Sequence, residues 1–235
     1  MEDEEMLEFI VNGANPKKLK FEVKKLLNMG RTARDPSQIQ KHLNELKKAG
    51  IASPLKGIPL YFPKLPDRIT SDDEIRVLPE SKTCGEVEYV ILVDKSDVYV
   101  TVGSDHSDRE LEKKSIPYAK HICQNVIAPK VWRYEDVKKD WDDFTLRAWV
   151  EEGGQRKLYQ EGGLASMLRP EEVVEKVKSH TVGDMDGMII FAGTPPILDG
   201  KFCFHDRFEM EMADEKNGKA IKWSYSSRPL AWYKE

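Results

Sequence analysis

The sequence predicts an α+β fold in which strands predominate, on three observations. Short runs rich in β-branched and aromatic residues recur beyond residue 80, at 86–93, 98–102, 144–150, 157–160 and 188–191. Only two segments show clear helical spacing, and there is no internal repeat or low-complexity tract. With 235 residues, 40% of them hydrophobic, the chain can bury a substantial core, so one large domain with an N-terminal appendage is expected.

Taken in order, 7–11 is a short apolar run that ends in the turn-forming Gly13, Asn15 and Pro16, and reads as an opening strand. Asp35-Pro36 starts a helix: the Asp side chain accepts from free N–H groups and Pro suits the first helical position. Ile39, Leu43 and Leu46 recur at helical spacing and Gly50 closes the turn, so the expected helix covers 36–49. Pro54, Pro59, Pro63 and Pro66 then make 54–66 a linker or crossover. Among the later strands lies one clear helix, 170–179, with Pro170 at its start and Val173, Val174 and Val177 on its apolar face. The strand 188–191 runs into Gly193-Thr194-Pro195-Pro196, and 208–212 with 221–225 form a closing hairpin around Asn217-Gly218.

Charge narrows the function. Lys plus Arg total 37 against 41 Asp plus Glu, a net −4, and the basic pairs at Lys17, Lys24, Lys47, Lys113 and Lys138 are scattered. Nucleic-acid affinity needs clustered phosphate-neutralising charge, so no nucleic-acid partner is expected. No apolar run approaches the roughly 18 to 20 residues that span a bilayer, and the acidic N-terminus is unlike a signal peptide. No membrane association and a cytoplasmic location follow as expectations. Cys84, Cys123 and Cys203 form no CxxC pair and are expected as free thiols without a catalytic role.

Three constellations can carry chemistry. In Glu86-Val87-Glu88 the glutamates are two apart on a strand, so they project from one face with stems about 7 Å apart. Burying two such carboxylates raises their pKa values or requires a hard cation between them, whereas an exposed strand edge accommodates the same pattern without a ligand. Ser104-Asp105-His106-Ser107-Asp108-Arg109-Glu110 is an unbroken polar row, either a functional segment or a polar turn. A Ser-His-Asp triad is not expected there, because consecutive residues of an extended segment point to alternate sides and cannot converge. His42 and Glu45 lie three apart on the expected first helix, where the carboxylate can orient the imidazole as a general base; an ordinary surface pair has the same spacing. Gly193 to Lys201 fails as a phosphate loop in its glycine spacing and in Phe202, and neither HExxH nor GxSxG occurs.

In order along the chain, these segments resemble the fumarylacetoacetate hydrolase superfamily, whose pattern is an ExE strand, Asn-Asp-x-Ser-x-Arg-Asp, a downstream Lys and a late Thr-Gly-Thr-Pro loop. The matches are Glu86-Val87-Glu88, the row from Ser104 to Glu110, Lys120, and Ala192-Gly193-Thr194-Pro195. Tyr159-Gln160-Glu161-Gly162 and Gly183-Asp184 resemble the family's Gln-containing turn and its approach to the last strand. More closely, nearly the whole chain resembles a branch catalogued as of unknown function, in which a helix, GEVE, GSDHxDRELE and YQEG follow one another.

The resemblance implies a mixed β-roll at 67–235 behind a lid region at 1–66 containing the first strand, helices and the Pro-rich linker. It implies magnesium or manganese on Glu86, Glu88 and Asp105, substrate contacts from Asp108, Arg109, Gln160, Gly193 and Thr194, and Lys120 as a charge for a carboxylate or enolate. His42 and Glu45 match a pair that, in some members, closes over the metal and positions a water. The partners implied are a small carboxylate substrate and a second copy of the chain in a homodimer. Ser104, Glu110 and Ala192 depart from the pattern without removing a metal ligand, and leave the substrate open. The expected activity is hydrolytic cleavage of a carbon–carbon or related acyl bond in an enolisable oxo acid. Decarboxylation or tautomerisation of an oxaloacetate-like acid on the same site is the alternative, and a non-catalytic acid-binding module is the second.

Overall fold

Alternation of apolar and charged residues sets the first strands of the computed structural model, in which residues 5–35, 37, 57–152 and 154–232 are described. β1 (Glu5–Asn12) and β2 (Lys17–Val23) form an antiparallel pair that buries Leu7, Phe9, Phe21 and Val23 and leaves Glu8 and Lys20 exposed. β3 (Lys25–Gly30) follows, then β4 (Leu60–Lys64), β5 (Ile69–Thr70), β6 (Glu74–Val77) and β7 (Thr83–Cys84). The central hairpin is β8 (Val87–Asp94) with β9 (Asp97–Ser104). After β10 (Ser107–Asp108) come two short helices, α1 (Arg109–Glu112) and α2 (Ile116–Ile122), then β11 (Asn125–Ile127), β12 (Lys130–Arg133) and α3 (Tyr134–Val137). β13 (Thr145–Glu152), β14 (Gln155–Gly163), α4 (Pro170–Lys178), β15 (Met188–Phe191), β16 (Arg207–Asp214) and β17 (Lys219–Pro229) complete the described chain.

Among the described residues the strands form a ten-stranded mixed sheet, with the path β2-β1-β12-β9-β8-β15-β3-β4 and β11 and β5 off it. A five-stranded sheet β14-β13-β16-β17-β6 and the pair β10-β7 complete the set. The chain is mostly β, as expected, and the strands preceding residue 66 share the large sheet with β8, β9 and β15. Apart from Ser37, the expected helix at 36–49 lies outside the described residues, as do His42 and Glu45.

The linker expected at 54–66 holds a strand instead. β4 pairs antiparallel with β3 at the end of the sheet path, with Pro63 opposite Leu27. An edge strand tolerates proline because one row of its backbone groups has no neighbour to bond, so the prolines hid a strand.

β8 is buried on both faces. Tyr89, Ile91 and Val93 point to a core shared with Leu146, Ala148, Met210 and Ile221 of the five-stranded sheet. Val90 and Leu92 point the other way, to a second core with Leu7, Phe21, Leu26, Ile127 and Ile189. Every buried member of the second core comes from the ten-stranded sheet itself, so that sheet is curled around its own interior. Strands buried on two sides read as continuous apolar runs, which is why 188–191 is legible as a strand with its bounds unchanged.

Trp141 seals one end of the inter-sheet core. It is fully buried and its ring lies 5.5 Å from Tyr89 and 5.4 Å from Tyr134. Replacing it with alanine is expected to cost about 3–5 kcal/mol, read as a fall in the urea midpoint at unchanged slope.

Candidate functional site

Glu86 and Asp105 extend the β8–β9 ladder by one pair. The Glu86 N–H donates to the Asp105 carbonyl at 3.2 Å, and the Asp105 N–H donates to the Glu86 carbonyl at 3.0 Å. Directly paired residues share a face, and Glu88, two residues on, shares it too. This is the face of Val90 and Leu92, inside the curl of the large sheet. Glu88 is 2% exposed and Asp105 fully buried, so the exposed-edge reading of the ExE pattern is excluded for Glu88. Gly103 stands opposite Glu88 in the register, and a Cβ there would fall 2.6 Å from the Phe191 ring and 2.7 Å from Val90, so the strands pack closely at this point.

Each carboxylate has a different partner. Asp105 forms an ion pair with the buried Lys120 of α2 and accepts from Ser107 Oγ at 3.2 Å. Glu86 is 3.1 Å from Arg109 Nη2, and the same guanidinium reaches Glu112 at 2.8 Å, donates to Cys84 Sγ at 3.0 Å and lies 4.7 Å from the Phe202 ring centroid. Glu88 has no ion pair among the described residues; its Oε2 accepts from the Gly193 N–H at 2.8 Å. Gly193 has φ 125°, and a Cβ there would fall 2.0 Å from Thr32 Oγ1, so only glycine can present that N–H.

Electrostatics follow from these partners. Burial pushes the Glu88 carboxyl well above the usual carboxylate range, and the adjacent Asp105 charge adds to the effect. Burial alone would raise Asp105 as well, but the ammonium charges of Lys120 and Lys64 outweigh it and hold the carboxyl below its ordinary value. Lys120, which burial would lower, is raised by Asp105, Glu86 and Glu88 and is therefore a fixed positive charge at neutral pH.

Among the described residues no three His, Cys, Asp or Glu side chains are gathered closely enough to hold a metal ion. The donor chemistry still fits one: three carboxylates on one face, Glu88 and Asp105 buried and Glu86 half-buried, suit a hard cation, and Glu88 has no ion pair among the described residues.

The other expected residues fall as follows. Gln160 is buried and its amide is fully used: Oε1 accepts from Val87 N at 2.9 Å, and Nε2 donates to Thr194 Oγ1 and to the Pro195 carbonyl, each at 2.8 Å. It therefore ties the start of β8 to the Gly193-Thr194 loop. Asp108 caps α1, accepting from the N–H groups of Glu110 at 3.0 Å and Leu111 at 2.9 Å. Ser104 and His106 point to the opposite face from Asp105, where Tyr225 Oη lies 2.9 Å from Ser104 Oγ and 2.8 Å from His106 Nδ1. The alternation that argues against a Ser-His-Asp triad is the alternation observed. Burial pushes the His106 imidazole down to about 3, so it is neutral. Its Nε2 is buried without a hydrogen-bond partner among the described residues, and the residue lines a cavity of about 10 Å³ together with Cys84, His205 and Tyr225. None of the three cysteines is in a disulfide.

Sequence reasoning missed the polar residues that more distant strands add to the carboxylate face: Asn28 on β3, Lys64 on β4 and Asn125 on β11, all buried. Asn28 carried a signal, since it interrupts the apolar run of Leu26, Leu27 and Met29.

With this geometry described, comparison with known proteins gives the chain its place. A family profile described as protein of unknown function (DUF2848) matches residues 29–225. The chain belongs to this family. No curated protein matches. Among solved structures, a Burkholderia cenocepacia protein provisionally designated a fumarylpyruvate hydrolase is 18% identical, with 97% of this chain and 93% of that chain covered and a TM-score of 0.65. A yeast protein of the fumarylacetoacetate hydrolase family is 18% identical over 88% of this chain and 94% of that one, with a TM-score of 0.61. A 5-carboxymethyl-2-hydroxymuconate delta-isomerase from Mycobacterium smegmatis is 17% identical over 95% and 94%, with a TM-score of 0.59. At these identities the likeness is one of fold: the DUF2848 chain has the fumarylacetoacetate hydrolase-like β architecture. No helix among its described residues is long and apolar enough to cross a membrane.

Gly85, next to Glu86, packs against the network on the far face. A Cβ at this position would sit 2.5 Å from both Ser104 Oγ and Tyr225 Oη and 3.2 Å from Phe208. Gly85→Ala is expected to destabilise by about 1–3 kcal/mol in chemical denaturation. Gly13→Ala, where nothing lies within 4 Å, should stay within about 0.5 kcal/mol of the parent.

Proposed function

We propose that this chain is a divalent-metal-dependent enzyme that hydrolyses a carbon–carbon or related acyl bond in a small enolisable oxo acid. The observation that carries the reading is the shared face of Glu86, Glu88 and Asp105, with Lys120 held on Asp105 and Glu88 without an ion pair among the described residues. Glu86, Glu88 and Asp105 would hold magnesium or manganese, which when bound supplies Lewis-acid polarisation of a carbonyl oxygen.

The chain's own residues set the rest. Lys120, kept protonated by its carboxylate neighbours, cannot take up a proton at neutral pH; it acts as a charge that stabilises a carboxylate or a developing enolate. The buried Arg109 neutralises Glu86. Gln160 fixes the Gly193-Thr194 loop that would hold the far end of the substrate. The base that activates water is assigned to His42 with Glu45, on the resemblance alone. A homodimer belongs to the same proposal, and a monomeric mass in sedimentation equilibrium would remove it.

One observation favours decarboxylation or tautomerisation as a second reading. Lys120 is held as a fixed positive charge beside the carboxylates, and loss of carbon dioxide to an enolate needs charge stabilisation more than an activated water.

Calorimetric titration with Mn²⁺ should show binding that Glu88→Ala and Asp105→Ala abolish, and turnover of a 2-oxo-acid panel should be lost with EDTA and restored by Mn²⁺. Undiminished turnover in Glu86→Ala or Glu88→Ala would refute the metal assignment. A metal-dependent thermal shift with no turnover would instead indicate an acid-binding module. Reaction in H₂¹⁸O separates the two chemistries: hydrolysis places one solvent oxygen in the product carboxylate, whereas decarboxylation leaves the product's carboxylate unlabelled, whatever its carbonyl exchanges with water.

A further inference from the structure

A second lysine is buried beside the site, and the proposed reaction does not use it. Lys64 ends β4 at 7% exposure. Its ammonium donates to the Lys120 carbonyl at 2.5 Å, to the Cys123 carbonyl at 3.1 Å and to Asn125 Oδ1 at 2.6 Å. An ammonium has three donors, and all three are committed to protein acceptors. Lys64 therefore offers nothing to a substrate without breaking a buried hydrogen bond.

The identity of the acceptors gives the residue its role. The last carbonyls of a helix have no intrahelical partner and carry the negative end of its dipole. Lys120 lies in the last turn of α2 and Cys123 is that helix's C-cap. At seven residues, with no side-chain hydrogen bond at its N-cap Ser115, α2 is too short to hold its own geometry. Lys64 binds the main chain of Lys120 while the Lys120 side chain leaves on the other side for Asp105. The third acceptor extends the brace: Asn125 Nδ2 donates to Asn28 Oδ1 at 2.8 Å, linking β11 to β3 beneath the carboxylates.

We propose that Lys64 is a positioning residue that caps the C-terminal end of α2 and thereby fixes the Lys120 ammonium on Asp105. The dependence is one-way. Lys64 grips main-chain atoms that remain when the Lys120 side chain is changed, whereas the direction of Lys120 depends on the carbonyl that Lys64 holds. The consequence for catalysis rests on the function proposed above; the structural dependence does not.

The test is ¹⁵N spectroscopy of lysine ammonium groups near pH 6.5, where buried, hydrogen-bonded NH₃⁺ groups exchange slowly enough to be seen. The parent protein should show signals from Lys64 and Lys120. Lys120→Met should remove one and leave the Lys64 signal in place. Lys64→Met, with an unchanged circular dichroism spectrum, should remove its own signal and shift or broaden that of Lys120. Should Lys64→Met fail to fold, Lys64→Gln, which still donates to one carbonyl, is read in the same way. An unchanged Lys120 signal in the folded Lys64 variant, or loss of the Lys64 signal in Lys120→Met, overturns the proposal. In turnover, Lys64→Met should lower kcat about 10-fold or more with KM within about 2-fold, the pattern of a misplaced charge and not of a lost substrate contact. If the parent turns over no oxo acid, the proposed function fails while the spectra still decide the role of Lys64.

Discussion

The reciprocal backbone pair between Glu86 and Asp105 is the constraint from which the rest of the site follows. Once these residues occupy opposed positions in the β8–β9 ladder, the two-residue period places Glu86, Glu88 and Asp105 inside the curled sheet. A slip of one residue between the two strands would put Asp105 on the opposite face from Glu86 and Glu88 and break up the group. Burial of the carboxylates then dictates their surroundings, because a buried anion must find a positive charge or a donor. Lys120 on Asp105, Arg109 on Glu86 and the Gly193 amide on Glu88 are three answers to that requirement.

The opposite face of the same residues explains features that a list of acidic side chains would leave out. Gly85 has no side chain because Ser104 and Tyr225 fill its space, and Gly193 has none because Thr32 does. Asp105 is thus held from behind by its two neighbours, Ser104 and His106, which share the Tyr225 hydroxyl. The residues that looked like a catalytic triad are a ligand candidate and its two flanking anchors.

How much of this was legible in the sequence depended on distance along the chain. Strands with a strong period or a continuous apolar run, such as β8 and β15, were readable because their signal is local. β4 was not, because the prolines that normally exclude strands are tolerated at an edge. Glu86, Glu88, Asp105 and Lys120 could be read as one group through the resemblance, which supplies long-range order that periodicity lacks. Asn28, Lys64 and Asn125 could not: each belongs to a different strand, and only the path β15-β3-β4 and the pairing of β11 with β9 bring them to one face. Lys64 in particular reads in sequence as one more solvated lysine between prolines.

The charges on this face also indicate where an added cation has the most effect. Lys120 answers Asp105, and Arg109 is divided between Glu86 and Glu112. Lys64 lends its field to Asp105, but its hydrogen bonds go to neutral acceptors. Glu88 is left buried with a single neutral donor and no ion pair among the described residues, and burial together with the Asp105 charge raises its pKa. A cation placed elsewhere would compete with Lys120 or Arg109 for an anion already neutralised; one at Glu88 would relieve a cost that the Lys120 charge and the Gly193 N–H offset only in part. Glu88, more than Glu86, is therefore the carboxylate on which metal affinity should depend.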